Sequence, residues 1–159
     1  MYKKVLVPLD GSNLAEYALS HVRSLVEDGS LGDVTLLNVT KFDLPVIDEY
    51  PERIDINALR EPIFAASAKY LTEVASRLSA KGIKVKTESV ESKKPAKAIT
   101  DYAQKNGMDL IVMSTHGFTG LKQLLLGCVA SEVLSQSHVP VLLIRPEACH
   151  MEHQTNRLS

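Results

Sequence analysis

The sequence predicts an α/β domain in which an open parallel sheet carries helices on both faces. Three observations favour this fold class. Short apolar segments alternate with amphipathic helical patterns along the chain. One segment, Leu110–Met113, is apolar at every position, which is typical of a strand buried inside a parallel sheet. The length of 159 residues suits a single compact domain with a substantial core.

The first strand and the first helix follow one another closely. Val5–Val7 predicts the first strand, and Val34–Val39 predicts the second. Between them, residues 13–27 show helical periodicity. Asn13 and Glu16 have the spacing of a capping box, so Asn13 is expected to cap this helix. The predicted inward residues of the helix are Leu14, Ala18, Val22 and Leu25.

The segment 41–61 resists assignment. It holds Pro45, Pro51 and many charges, and it predicts a loop of about 20 residues, which in a compact domain is often a lid or an interface segment. From Pro62 to Lys81 the pattern predicts a long amphipathic helix that stops at Gly82. Its predicted inward residues are Ile63, Leu71, Val74 and Leu78.

The second half of the chain continues the alternation. Ile83–Val90 alternates apolar and polar residues, as an edge strand does. Pro95 is expected at the start of the third helix, which buries Ala96, Ile99 and Ala103 and ends at Gly107. After Leu110–Met113, a fourth helix is predicted near Gly127–Gln136. The fifth strand is Pro140–Arg145.

These elements define one domain over residues 1–146. Residues 147–159 form a polar tail that is expected to be mobile. Cys149, His150 and His153 in the tail are three potential metal ligands without a visible fourth, so no metal site is predicted there. Cys128 is the only other cysteine, which argues against a disulfide scaffold.

Composition gives no general reason to expect nucleic acid or a membrane as a partner. The 18 basic and 19 acidic residues give a net charge of −1. No apolar run approaches the roughly 20 residues needed to cross a bilayer. The apolar stretch within Met1–Pro8 is too short for the core of a signal peptide, so a cytoplasmic location is expected.

Ligands of such sheets bind beyond the carboxyl ends of the strands, where the strand order reverses. Leu9–Ser12 follows the first strand, and Ser114–Gly117 follows the fourth. The two segments can share one crevice only if those strands are neighbours. The carboxylate of Asp10 would suit the hydroxyls of a ribose. Alternatively, Asp10 belongs to an Asp-Gly turn that caps the first helix.

The loop from Ser114 to Cys128 has features of a phosphate site. Small residues directly after a buried strand let backbone N–H groups approach an anion. Gly127 and Cys128 then meet the start of a helix, where unpaired N–H groups and the helix dipole favour phosphate. The alternative is that these glycines only permit turns between a strand and a helix.

Together these segments resemble the universal stress protein family. Its ATP-binding members carry Gly-x-x-Gly, nine residues, and then Gly followed by Ser or Thr. Here Ser114–Gly117 is followed by nine residues and then by Gly127 and Cys128. The opening Val5–Ser12 and the closing Pro140–Pro146 also resemble the family, so the resemblance covers residues 1–146.

The resemblance implies a sheet of order 3-2-1-4-5 and a site for ATP or AMP, with Mg²⁺ or Mn²⁺. Asp10 would hold the ribose, and Val39 would meet the adenine through its backbone. Gly117, Gly127 and Cys128 would hold phosphates. The implied site comprises Pro8, Leu9, Asp10, Val39, Met113, Ser114, His116, Gly117, Gly127, Cys128 and Val129.

The resemblance also implies an antiparallel homodimer through the last strand. Four consecutive apolar residues on a sheet edge would otherwise be an aggregation risk. The residues expected at that interface are Val141, Leu142, Leu143 and Ile144.

Two positions depart from the family motif. Ser114 replaces the first glycine and fits if its backbone does not need positive φ. Cys128 replaces the hydroxyl residue, and a thiol is a weak donor. A thiolate there would repel phosphate and disfavour ATP while leaving AMP possible. The favoured interpretation of Cys128 is a small, buried, inert residue.

Three function hypotheses follow. The leading one is a regulatory module that binds an adenine nucleotide and hydrolyses ATP slowly, if at all. The second is an enzyme that transfers adenylyl or phosphoryl groups, which would need Lys122 or His116 at the phosphates. The third is a dimeric stress-response protein that binds no nucleotide, and Cys128 keeps this alternative open.

Overall fold

The computed structural model describes residues 1–43, 55–116 and 126–146. Within these ranges five strands and four helices alternate along the chain: β1 Tyr2–Pro8, α1 Asn13–Glu27, β2 Leu31–Thr40, α2 Ile56–Ser79, β3 Val85–Glu91, α3 Pro95–Lys105, β4 Leu110–Ser114, α4 Cys128–Gln136 and β5 Val141–Ile144. The strands form one parallel sheet in the order β3-β2-β1-β4-β5. The predicted fold class and strand order are therefore confirmed.

The sheet separates two apolar cores. Val5 and Val7 of β1 point to the side covered by α1 and α2. Leu6, between them, points to the side covered by α3 and α4. All residues of β4 are buried, as the continuous apolar run predicts. The helices that cover both faces of the sheet exclude water from Val5–Pro8 of β1 and from all of β4, up to the carboxyl ends of these strands.

The start of α1 differs from the prediction. Ser12, not Asn13, caps the helix, and its hydroxyl accepts a hydrogen bond from the Ala15 N–H at 3.0 Å. The reason is local, because the Asp10 carboxylate holds both the N–H and the hydroxyl of Ser12. The buried face includes the predicted Ala18 and Val22 together with Ala15 and Leu19, whereas Leu14 and Leu25 are only partly buried.

Helix α2 begins earlier than predicted. The Asp55 carboxylate accepts hydrogen bonds from the N–H groups of Asn57 and Ala58, so the helix starts at Ile56 and Pro62 lies inside it. The expected loop is therefore wrong for residues 56–61, while 44–54 lie outside the described residues. Ile63 is 39% exposed, which contradicts its predicted inward position. The other predicted inward residues, Leu71, Val74 and Leu78, are buried.

The amino end of β1 is held from both sides. On the β4 side, the Asp109 carboxylate accepts from the N–H groups of Lys3 and Lys4 at 2.8 and 2.9 Å, and these bonds lower the pKa of Asp109. On the β2 side, Gly32 lies against Lys3, and a Cβ atom at residue 32 would be only 2.6 Å from the Lys3 carbonyl oxygen. These contacts fix β1 between its neighbours.

The two edges of the sheet are β3 and β5. The alternating segment Ile83–Val90 thus becomes an edge strand, as predicted. Over the ranges given above, no helix combines the length and the apolar character that a membrane span requires.

Gly32→Ala is expected to destabilise the protein by about 2 kcal/mol, because the new methyl group would collide with the rigid backbone of β1. The measurement is the free energy of unfolding from urea titration. Asp33→Ala is the matched control. It removes only the surface ion pair with Lys84 and is expected to cost less than about 0.5 kcal/mol. Equal stability of Gly32→Ala and wild type would show that the two strands can separate at no cost.

Candidate ligand-binding site

A crevice opens at the carboxyl ends of β1, β2 and β4, on the side of the sheet covered by α3 and α4. It encloses a cavity of about 370 Å³. Strands β1 and β4 are direct neighbours, so the segments that follow them meet there. Ten of the eleven predicted site residues line the cavity: Pro8, Leu9, Asp10, Val39, Met113, Ser114, His116, Gly127, Cys128 and Val129. The eleventh, Gly117, lies outside the described residues, as does Lys122.

Asp10 stands at the end of β1 on the wall of the crevice. Its Oδ1 accepts from the Ser12 N–H at 2.9 Å and from the Ser12 hydroxyl at 2.6 Å. Gly11 has a φ of 87°, which closes the turn between the two residues. The turn-capping interpretation of Asp10 is therefore correct. It does not compete with a ligand role, since the same turn directs an exposed carboxylate to the cavity.

Behind this turn, α1 and α2 bring further charges together. Burial raises the pKa of Tyr70, and the negative charges of Glu16 and Asp10 raise it further. Arg77 forms an ion pair with Glu16 at 2.9 Å. Tyr70 therefore remains neutral at physiological pH, and the negative charge at this end of β1 resides on the carboxylates.

The residues that follow β4 are small or polar and are buried. Ser114, Thr115 and His116 are each 5–6% exposed. The Thr115 hydroxyl and His116 Nδ1 share a hydrogen bond of 2.9 Å, which holds the imidazole against the residue before it. No described residue other than glycine has a positive φ, so Ser114 meets the condition for replacing glycine at this position.

Gly127 joins the end of β4 to the start of α4. Its N–H donates to the Thr115 carbonyl at 2.7 Å, and a Cβ atom at residue 127 would lie 3.0 Å from that same oxygen. A side chain at residue 127 would therefore crowd the Thr115 carbonyl, and the Gly127 N–H already has a partner. The amides left without an acceptor inside the helix are those of the first turn, Cys128, Val129 and Ala130. They give this end of the crevice a positive potential.

Cys128 is exposed, contrary to the favoured interpretation of a buried residue. It is the first residue of α4, and in the structure this position lines the crevice rather than the core. The apolar face of α4 is instead provided by Ala130 and Val133. The thiol is therefore in a position to contact a ligand.

The backbone of Val39 faces the crevice. The Leu37 carbonyl accepts from Leu9 beyond β1, and the Thr40 carbonyl accepts from Ser92 beyond β3. Because successive residues of a strand direct their peptide groups to alternate sides, Val39 faces the same side as Leu37. The pairing of β1 with β2 ends at Pro8 and Leu37, so the peptide groups of Val39 point past the end of β1.

Several lining residues were not predicted from the sequence. They are Ala15, Leu37, Lys41, Pro95, Ile99, Thr115 and Ala130. Pro95 and Ile99 belong to the first turns of α3, which begins at the same edge of the sheet as the crevice. The predicted helix start at Pro95 could have indicated this, because a helix that follows a parallel strand begins near its carboxyl end. Lys41 could have been found as the residue that follows β2.

Among the described lining residues, the ionisable side chains are those of Asp10, Lys41, His116 and Cys128. Within 1–43, 55–116 and 126–146, no three His, Cys, Asp or Glu residues are grouped as ligands of a metal ion. The tail residues Cys149, His150 and His153 fall outside these ranges. The crevice therefore combines an apolar end at Val39, Ile99 and Met113 with a polar end at Asp10 and the start of α4.

Comparison with known proteins identifies the family. A sequence model described as the universal stress protein family matches residues 1–145. The chain belongs to the universal stress protein family. The universal stress protein MJ0577 of Methanocaldococcus jannaschii is 32% identical, over 91% of this chain and 96% of its own sequence. The solved structure of MJ0577 superposes with a TM-score of 0.78, at 33% identity, covering 92% of this chain and 97% of that one.

More distant universal stress proteins share the fold and have been solved with nucleotides. A family protein from Arabidopsis thaliana, solved with AMP bound, has 18% identity and a TM-score of 0.66, covering 93% of this chain and 94% of that one. Another universal stress protein, solved in complex with cAMP, has 23% identity and a TM-score of 0.62, covering 91% of this chain and 97% of that one. At these identities the likeness to this chain is one of fold.

Proposed function

We propose that the protein binds an adenine nucleotide in the crevice and acts as a regulatory homodimer in a stress response. The observation that carries this proposal is the convergence of three kinds of group on one cavity. These are the outward-facing peptide of Val39, the carboxylate of Asp10 and the first-turn amides of α4. They match, in this order, a base, a ribose and a phosphate.

The base is assigned to the apolar end of the cavity. Val39, Ile99 and Met113 would flank its faces. The Val39 N–H would donate to a ring nitrogen of adenine, and the Val39 carbonyl would accept from the 6-amino group. A 6-oxo purine would set its oxygen against that carbonyl, so this arrangement favours adenine.

The ribose and the phosphate are assigned to the polar end. A carboxylate has acceptor capacity for more than one partner, so Asp10 can hold Ser12 and also accept from ribose hydroxyls. The phosphate would bind the amides of Cys128, Val129 and Ala130. Gly127 would leave space for the phosphate because it has no side chain. Its N–H is not available to the phosphate, since it donates to the Thr115 carbonyl. A phosphate role for Gly117 stays a prediction.

The finer identity of the ligand is proposed as ATP with Mg²⁺ or Mn²⁺, with AMP as the alternative. Relatives with this fold have been solved with AMP and with cAMP, which supports an adenine nucleotide in general. A cation would be held by the phosphate oxygens, because divalent magnesium commonly binds through substrate phosphates. A phosphoryl-transfer enzyme is less well supported, since His116 is buried and bonded to Thr115.

The dimer is proposed to form through β5. Among the described strands it pairs with β4 alone, and its four residues are partly buried. The Ile144 carbonyl accepts from Thr115, and the Pro140 carbonyl accepts from Ile111, so even-numbered residues face β4. The peptide groups of Val141 and Leu143 therefore face outward and are available to a second copy.

Calorimetric titration with AMP and with ATP, each with and without Mg²⁺, is expected to give saturable binding. Asp10→Asn should weaken AMP binding about tenfold, because a hydrogen bond to a charged acceptor is lost. Its amide oxygen still accepts from Ser12, so the helix cap is kept. If wild type gives no heat with either nucleotide at millimolar concentration, the proposed function is wrong.

Cys128→Ser is expected to strengthen AMP binding about fivefold, since a hydroxyl is a better donor to phosphate than a thiol. Cys128→Ala is the control. It removes the side-chain donor and should bind AMP about as wild type does. Equal affinities for the serine variant and wild type would show that this position does not limit binding.

Leu143→Pro is expected to convert a dimer into a monomer, because it removes an outward N–H and leaves the pairing with β4 intact. Light scattering coupled to gel filtration measures the mass. Leu143→Ala, which trims the side chain and keeps the N–H, should remain dimeric. A wild-type mass equal to the monomer at every concentration would contradict the proposed interface.

A further inference from the structure

Asn38 connects the end of β1 to α2. Its Nδ2 donates to the Leu9 carbonyl at 2.8 Å. Its Oδ1 accepts from the Ser67 hydroxyl at 2.8 Å and from the Thr40 hydroxyl at 3.0 Å. A carbonyl can only accept, so the amino group of the carboxamide must face Leu9. Three hydrogen bonds therefore fix the orientation of this side chain.

The bond from Asn38 to Leu9 replaces one that a regular parallel ladder would contain. The Leu9 N–H donates to the Leu37 carbonyl at 2.8 Å. In a ladder that continued, the Leu9 carbonyl would next accept from the Val39 N–H. Pairing instead ends at Pro8 and Leu37. Because the carboxamide satisfies the Leu9 carbonyl, this polar group is not left without a partner.

We infer that Asn38 is a positioning residue that keeps the peptide of Val39 available to the base. This inference rests on the proposed function and deepens it. With its Nδ2 on the Leu9 carbonyl, Asn38 ends the pairing of β1 and β2 before Val39 is drawn into it. The donor and the acceptor of Val39 then remain at the crevice, as the edge of an adenine requires.

The hydrogen bond from Ser67 to Asn38 belongs to a network on the side of the sheet away from the crevice. Ser67 has a single hydroxyl proton and donates it to Asn38, so the Ser89 hydroxyl, 2.9 Å away, donates to Ser67. Helix α2 and strand β3 thus support the carboxamide. Ser67→Ala removes this support and leaves the Asn38–Leu9 bond in place, which makes it the matched control.

Hydrogen exchange without any nucleotide tests the backbone part of the inference. In wild type the Val39 amide should exchange about tenfold faster than the Leu37 amide, because it is outside the ladder. Asn38→Leu should slow Val39 exchange, since the Leu9 carbonyl then takes the Val39 N–H. Ser67→Ala should leave Val39 as in wild type. A Val39 amide as protected as Leu37 in wild type would overturn the inference.

Binding of AMP and of IMP tests the ligand part. Wild type should prefer AMP, whose 6-amino group suits the Val39 carbonyl. Asn38→Leu and Asn38→Asp should each lose about tenfold in AMP affinity and most of the preference over IMP. Ser67→Ala should keep the wild-type affinity for AMP and the preference for AMP over IMP, although its midpoint of urea unfolding should fall. Asn38→Asp keeps the shape of the side chain, so it can be used for this measurement if Asn38→Leu does not fold.

The outcomes separate the inference from the proposed function. The inference would be overturned if both Asn38 variants kept the wild-type affinity for AMP and the wild-type preference for AMP over IMP. It would also be overturned if Ser67→Ala lost as much AMP affinity as the Asn38 variants, because the loss would then reflect general rigidity. Failure of wild type to bind AMP would overturn the proposed function, and the exchange experiment alone would then decide the effect of Asn38 on Val39.

Discussion

The early end of β1 is the constraint on which the rest of the site depends. Strand β1 stops at Pro8, whereas β2 continues to Thr40 and keeps pairing with β3. Because the central strand ends before its neighbour, the sheet has a gap one strand wide beyond β1. The backbone groups of the longer strand β2 face into this gap. The helices on one face close that gap from above, and the turn at Asp10 closes it from the side.

Most of the fold could be predicted because its signals are local or periodic. The buried strand at Leu110–Met113, the helix start at Pro95 and the edge character of Ile83–Val90 all follow from neighbouring residues. The start of α2 was missed because Pro62 is a strong local signal for a boundary, whereas the Asp55 cap lies about two turns earlier. The cap of α1 was misplaced by one residue for a similar reason, since Asp10 holds Ser12 and so selects it over Asn13.

The sequence anticipated which residues line the cavity better than it anticipated their hydrogen bonds, and their ligand roles stay predictions. The family resemblance implies that Asp10, Gly127 and Cys128 share one crevice, and all three line the cavity. It could not reveal that the Gly127 N–H already bonds Thr115, or that Cys128 is exposed, because both depend on how α4 meets β4. The sequence around Asn38 does not indicate its role, because its partners Leu9 and Ser67 are each 29 residues away in sequence. Such non-local hydrogen bonds appear only once the strands are paired.

The hydrogen bond between Thr115 and Gly127 has a consequence for how such a protein can diversify. It joins Thr115, directly after β4, to Gly127, directly before α4, so these two described segments meet at one point although they are far from adjacent in sequence. Because this bond joins two backbone groups, it does not depend on which side chains the chain carries between residues 117 and 125. Substitutions of those side chains would therefore leave the junction of β4 and α4, and with it the scaffold, unchanged.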